Sequence, residues 1–126
     1  MKGKDASVKS LKNNIIGEFW DQGYVEALIP GNRSSLRVCI RVPIGADYSA
    51  RLRNADTLLP ALIADIGAVE VIATEAVKSD APSKVFDIWI EPDGTASYTC
   101  GFFEGEMTDE LVIVERSQQG ILSFGG

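Results

Sequence analysis

Histidine is absent from this chain of 126 residues, and cysteine occurs only twice, as Cys39 and Cys100. Without histidine, the usual base that activates a cysteine or serine nucleophile is missing, which argues against the common nucleophilic hydrolases. Neither cysteine has a metal-binding neighbour at short spacing, so a zinc site is not expected. We expect two reduced, partly buried thiols, no disulfide, no cofactor and no metal.

Long apolar runs are also absent, because no stretch approaches the roughly 18 residues needed to span a membrane. The basic N-terminal residues are not followed by the apolar stretch of a secretory signal. Gly-x-Gly-x-x-Gly and Walker patterns are missing, which removes the usual phosphate loops. We expect residues 1–126 to form one cytoplasmic domain, with residues 1–13 as a polar, partly disordered tail.

Bases are scarce in the C-terminal part of the chain. Residues 79–126 contain nine of the 18 acidic residues but only Lys84 and Arg116 as bases, a difference of about −7. Residues 1–53 contain nine bases and five acids, a difference of about +4. With a net charge of −6 and a pI of about 4.6, the composition disfavours nucleic acid as a partner and favours a basic protein.

Short alternating segments between turn signals predict seven strands. They cover residues 15–20, 24–29, 35–42, 84–90, 95–102, 111–115 and 121–124. Apolar residues at helical spacing from Leu58 to Ala76 predict a helix over about 57–78, with room for a separate short helix at 47–55. The βββ-α-ββββ order predicts an α+β fold, an antiparallel sheet with one main helix packed on one face.

An acidic segment at residues 101–110 is the first candidate binding site. It lies between two predicted strands, so we expect a long exposed loop, with Phe103 as a packing contact and four acids that attract a basic partner. The four acids are Glu104, Glu106, Asp109 and Glu110. The alternative is a solvated hairpin loop whose acids only keep a sheet edge soluble.

Asp87, Glu91 and Asp93 would join the same acidic surface if the two strands around the Pro-Asp-Gly turn pair as a hairpin. Their spacing does not match a calcium loop, so we expect them to contact the partner rather than a metal.

Five arginines form the basic part of the chain: Arg33, Arg37, Arg41, Arg51 and Arg53. They are compatible with a phosphate-binding patch or with pairing to acids on neighbouring strands, such as Glu26. We favour pairing across strands. Trp20, Tyr24 and Trp89 are expected as core or half-buried aromatics.

The run FDIWIEPDGTASY at residues 86–98, followed by FFE at 102–104 and LVIVE at 111–115, resembles small bacterial α+β proteins. Many of these accompany polymorphic or contact-dependent-inhibition toxins as immunity proteins. The resemblance covers the layout of residues 15–124 and implies a cytoplasmic, non-enzymatic inhibitor of a toxin domain.

The leading hypothesis is therefore a toxin-neutralising immunity protein that binds a basic toxin domain through its acidic surface. Two alternatives come from other classes: a small ligand-binding domain or enzyme with a pocket between helix and sheet, and an oligomeric scaffold whose last strand pairs with another copy.

Overall fold

A computed structural model describes residues 11–30, 35–78, 80–104 and 106–125, with the backbone alone for residues 104 and 106–109. Seven strands and two helices follow one another along the chain in the order βββ-αα-ββββ. They are β1 (Ile15–Phe19), β2 (Tyr24–Ile29), β3 (Leu36–Arg41), α1 (Tyr48–Ala64), α2 (Ile66–Val77), β4 (Ser83–Ile90), β5 (Ala96–Glu104), β6 (Glu106–Arg116) and β7 (Leu122–Phe124).

The seven strands form a single sheet in which spatial order equals chain order, from β1 at one edge to β7 at the other. Five neighbouring pairs are antiparallel, but β3 and β4 are parallel, with Arg37 opposite Asp87 and Ile40 opposite Ile90. The α+β class is confirmed, and the antiparallel sheet is corrected to a mixed one. The reason is the connection: both helices lie between β3 and β4, and this crossover returns the chain in the same direction.

The helical region is also corrected, from one main helix to two. Helix α1 begins nine residues before the predicted start, because the carboxylate of Asp47 caps it by accepting from the N–H of Ala50 at 3.1 Å. Pro60 therefore lies inside α1 rather than in its first turn. The two helices meet at Asp65 with a bend of 59°.

Two side chains from the sheet hold this bend. In a continuous helix the carbonyl of Leu62 would accept from the N–H of Ile66. Here the buried hydroxyl of Tyr98 donates to that carbonyl at 2.9 Å. Arg116 Nε lies 3.0 Å from Asp65 Oδ2, at the junction itself. The sheet thus supplies a hydrogen-bond donor and a countercharge where the helix is interrupted.

The core lies between the helices and one face of the sheet. Side chains that alternate along β2 to β6 point into it, and α1 and α2 cover them from one side only. Leu11, within the range expected as a tail, is completely buried in this core, and its N–H donates to the Asp56 carboxylate at 2.8 Å. Among the described residues no single helix is long and apolar enough to cross a membrane. Helices α1 and α2 reach that length and apolar character only together, as a bent pair.

Candidate functional site

The sheet face that the helices leave open carries a row of aromatic side chains. Phe19 stacks on Tyr24 with ring centroids 4.8 Å apart, and Tyr24 contacts Trp89 at 4.9 Å. The guanidinium carbon of Arg41 lies 4.5 Å from the centre of the Trp89 ring, a cation–π contact. These residues come from four neighbouring strands, so the row spans one end of the open face.

The arginines of β3 pair with acids on neighbouring strands, as predicted. Arg37 Nε lies 2.7 Å from Glu26 Oε2, and Arg41 Nε lies 3.5 Å from Glu91 Oε2. Arg53 is exposed on α1, and Arg33 lies outside the described residues. The described arginines are therefore distributed over the sheet and a helix, each with its own surroundings, rather than gathered into one phosphate-binding patch.

The acidic segment at 101–110 is not a long loop, and this prediction was wrong. Strand β5 continues to Glu104 and β6 starts at Glu106, with these two residues opposite each other in the ladder. The hairpin extends past β4, whose first residue Ser83 is opposite Phe102. The clustered acids did not indicate a strand, because charged residues are rare in strand interiors. They are tolerated at a hairpin end that is exposed to water.

The four acids predicted to attract a partner lie on β5 and β6. The side chains of Glu104, Glu106 and Asp109 lie outside the described residues. Glu110 is exposed on β6. Phe103, the predicted packing contact, is half-buried, and its ring lies 5.7 Å from that of Phe86.

The three second-line acids do not form one cluster. Asp87 lies on the open face between Arg37 and Thr99 in the ladder, and its Oδ1 atom is buried with no hydrogen-bond partner among the described residues. Glu91 pairs with Arg41 at the end of β4. Asp93 closes the following turn.

Asp93 Oδ1 accepts from the N–H and the hydroxyl of Thr95, at 2.9 and 2.7 Å. These hydrogen bonds stabilise the charged carboxylate and hold the pKa of Asp93 below its ordinary value. Asp93 therefore has a structural task within its turn, which accounts for the Pro-Asp-Gly signature at this position.

Both cysteines are free, as predicted, and both are buried. Burial raises the pKa of each thiol to about 12, and nearby carboxylates add to it, chiefly Asp87 for Cys39 and Glu70 for Cys100. A thiol with such a pKa stays protonated at neutral pH, and a protonated thiol is a poor nucleophile.

Sequence reasoning missed a buried arginine on α1. Arg51 is only 8% exposed, and its Nε donates to the backbone carbonyl of Arg41 at 3.1 Å. The signal was present in the spacing of Arg51 with Leu52, Ala55 and Leu59, all on the buried side of α1. It was overlooked because the main helix was expected to begin only at residue 57.

Within the described part of the chain, no group of three or more Cys, Asp and Glu side chains is arranged to hold a metal ion. Comparisons with protein-family models, curated proteins and solved structures found no match for this chain.

Proposed function

We propose that this chain is a cytoplasmic, toxin-neutralising immunity protein, a non-enzymatic inhibitor that binds a basic toxin domain through an acidic surface. One observation carries the proposal: strands β4 to β6 lie side by side, and the chain from residue 85 to 115 contains eight acids and no base. Four of these acids, Glu104, Glu106, Asp109 and Glu110, lie on the β5–β6 hairpin near its turn. The field attracts a cationic protein and repels the phosphates of nucleic acid.

The open sheet face supports a protein as the partner. Its exposed or half-buried aromatics and arginines are the residue types that dominate binding energy at protein interfaces. Tyr24, Trp89 and Arg41 form one group at one end, and Phe86 with Phe103 forms a second beside the acidic hairpin. A broad sheet face of this kind suits a protein surface better than a small molecule, which needs a concave site.

Asp87 supplies a specific acceptor on this face. Its Oδ1 atom is buried and finds no donor among the described residues, and a buried acceptor without a donor is unfavourable. A lysine or arginine of the partner that reached this oxygen would satisfy it in a charge-assisted hydrogen bond.

A growth assay tests the function. The proposal expects a large secreted toxin to be encoded beside the gene for this chain, and the toxic domain of that protein is the one to test. Its expression in bacterial cells should stop growth, and co-expression of this protein should restore growth. The proposal is contradicted if the neighbouring protein is harmless alone, or if it kills equally well with and without this protein.

A charge-reversal pair tests the surface once that domain is in hand. Replacing Glu104 and Glu106 by Lys changes the net charge from −6 to −2, and replacing the exposed acids Glu75 and Asp80 by Lys changes it equally. We expect the hairpin variant to associate more slowly, with a weaker salt dependence, and the control to associate nearly as the parent does. Equal rates for the two variants, measured by surface plasmon resonance, would remove the hairpin from the interface.

A further inference from the structure

A cleft of about 220 Å³ lies between the first half of α1 and the turn that joins β4 to β5. It sits outside the carboxyl ends of β3 and β4, the two parallel neighbours of the sheet. Ile90 and Glu91 at the end of β4 line it, and Arg51 lines it from the helix. In sheets with parallel strands, the crevice beyond the carboxyl ends is where ligands are commonly bound.

Arg51 gives this cleft an unusual chemical property. Arg51 is more than nine-tenths buried and is the one charged residue classed as buried among those described. Its Nε donates to a backbone carbonyl, but its Nη2 atom is buried and has no hydrogen-bond partner in the part of the chain that the structure describes. A buried guanidinium with an unused donor is unfavourable unless an acceptor is supplied.

The nearby carboxylates are already engaged. Glu91 lies 3.5 Å from Arg41 Nε, and Asp93 Oδ1 accepts two hydrogen bonds from Thr95. Each is held by a different partner, and among the described residues neither supplies an acceptor to Arg51 Nη2. An acceptor from outside would complete its hydrogen bonding.

We propose that this cleft binds a short aliphatic carboxylate, whose oxygens accept from the guanidinium of Arg51. A planar carboxylate matches the fork of donors that arginine presents. The remaining walls include Leu58, Ile90 and Pro92, which suit a hydrocarbon chain.

Size and charge narrow the ligand class. The cleft is smaller than the roughly 300–1,000 Å³ of sites for drug-sized ligands, which restricts the hydrocarbon part to a few carbons. Two further lining residues, Glu91 and Asp93, are acidic. A doubly charged phosphate would be repelled by them more strongly than a singly charged carboxylate.

Titration with sodium butyrate tests the site on the intact chain, followed by nuclear magnetic resonance of the Arg51 Nε–H and the Gly94 amide. Sodium chloride at equal ionic strength and inorganic phosphate are the comparison salts. We expect saturable shifts with butyrate at a Kd of about 1–10 mM, and weaker or linear shifts with the other two. Phosphate binding as tight as butyrate would overturn the carboxylate assignment, and the absence of saturation with butyrate would overturn the site.

Two variants on α1 separate the site from general charge effects. R51K should weaken butyrate binding at least about tenfold, because a point charge cannot present the same fork. R53K, an exchange at an exposed arginine on the same helix, should leave it unchanged. Equal loss in both would contradict the proposal.

A third variant covers the case in which R51K does not fold. Asn54 is exposed on α1 at the rim of the cleft. N54W should abolish the saturable shifts by filling the cleft while Arg51 stays in place, whereas R53W should not. Unimpaired butyrate binding by a folded N54W would refute the location.

Discussion

The hydroxyl of Tyr98 is expected to be essential to the join between the two helices. Tyr98 is completely buried, and its hydroxyl donates to the carbonyl of Leu62 at 2.9 Å. The replacement Tyr98→Phe removes only the oxygen and leaves the ring in the core. Because α1 ends at Ala64, the carbonyl of Leu62 has lost the N–H that a continuous helix would supply, and the variant leaves it buried without this donor.

The expected loss of folding stability depends on whether the carbonyl of Leu62 is left buried and unpaired. A hydrogen bond exchanged for water contributes about 0.5–1.5 kcal/mol, but a buried acceptor left unpaired costs about 1–3 kcal/mol. The second figure applies here because Leu62 is completely buried. With an m value of about 1.5–2 kcal/mol/M, the midpoint of urea unfolding should fall by about 0.5–2 M.

Tryptophan fluorescence and far-ultraviolet circular dichroism would follow this unfolding. The matched control is Tyr48→Phe, since Tyr48 is half-buried and its ring packs edge-on against Trp20. We expect the control to unfold within about 0.3 M of the parent. If Tyr98→Phe unfolds at the midpoint of the control, the hydrogen bond does not hold the bend, and Arg116 would have to do so alone.

Two glycines should respond to alanine in opposite directions. Gly67→Ala should stabilise the protein by about 0.5–1 kcal/mol, because Gly67 lies in α2 and an added Cβ meets nothing within 4 Å. Gly101→Ala should destabilise the protein by about 1–3 kcal/mol, because the new Cβ would overlap the ring of Phe86. If the two variants changed the free energy of urea unfolding equally, both the open space at Gly67 and the close contact at Gly101 would be contradicted. The thiols of Cys39 and Cys100 should resist a thiol reagent until the chain unfolds, when two should be counted. Burial raises the pKa of both thiols from 9.0 to about 12, so the unfolded chain loses these protons at a lower pH than the folded chain does. The contribution of the two thiols to folding stability is therefore complete below pH 9 and is lost as the pH rises toward 12. Stability should fall there by about 1.4 kcal/mol per thiol and pH unit, and the double alanine variant should lack this part of the slope.

The strands could be predicted because alternation and turn residues are local signals. In β3 the alternation puts Val38 and Ile40 on one face of the strand, and both are buried. Cys39, on the opposite face, is buried as well, because side chains from neighbouring strands cover it. Local alternation specifies which face a residue takes, but not how much the neighbouring strands cover it.

The direction of β4 and the division of the helix depend on distant residues. The bend at Asp65 is stabilised by Tyr98 and Arg116, which lie 33 and 51 positions later in the chain. The helical spacing continues across the bend, from Leu62 to Val69, so the pattern alone predicts one helix. Such interruptions follow from tertiary contacts, which a periodicity cannot contain.

Part of the opposed charge of the two halves of the chain meets where β3 lies beside β4. The parallel pairing of β3 with β4 places the arginines of the first half beside the acids of the second, as Arg41 with Glu91. The charge asymmetry seen along the sequence is therefore partly offset where β3 meets the end of β4. The arginines of β3 do not offset the charge of the acids in the β5–β6 hairpin, because β5 lies two strands away from β3.

The base nearest to these acids in the ladder is Lys84 of β4, which lies opposite Gly101 of β5. The acids follow beyond Gly101, toward the turn of the hairpin. The arginines of β3 are engaged in ion pairs near the middle of the sheet. They therefore do not screen the negative charge at the β5–β6 hairpin. A basic partner approaching this molecule should be steered to the hairpin first and then meet the open face beside it, where Phe103 and Phe86 provide an apolar contact.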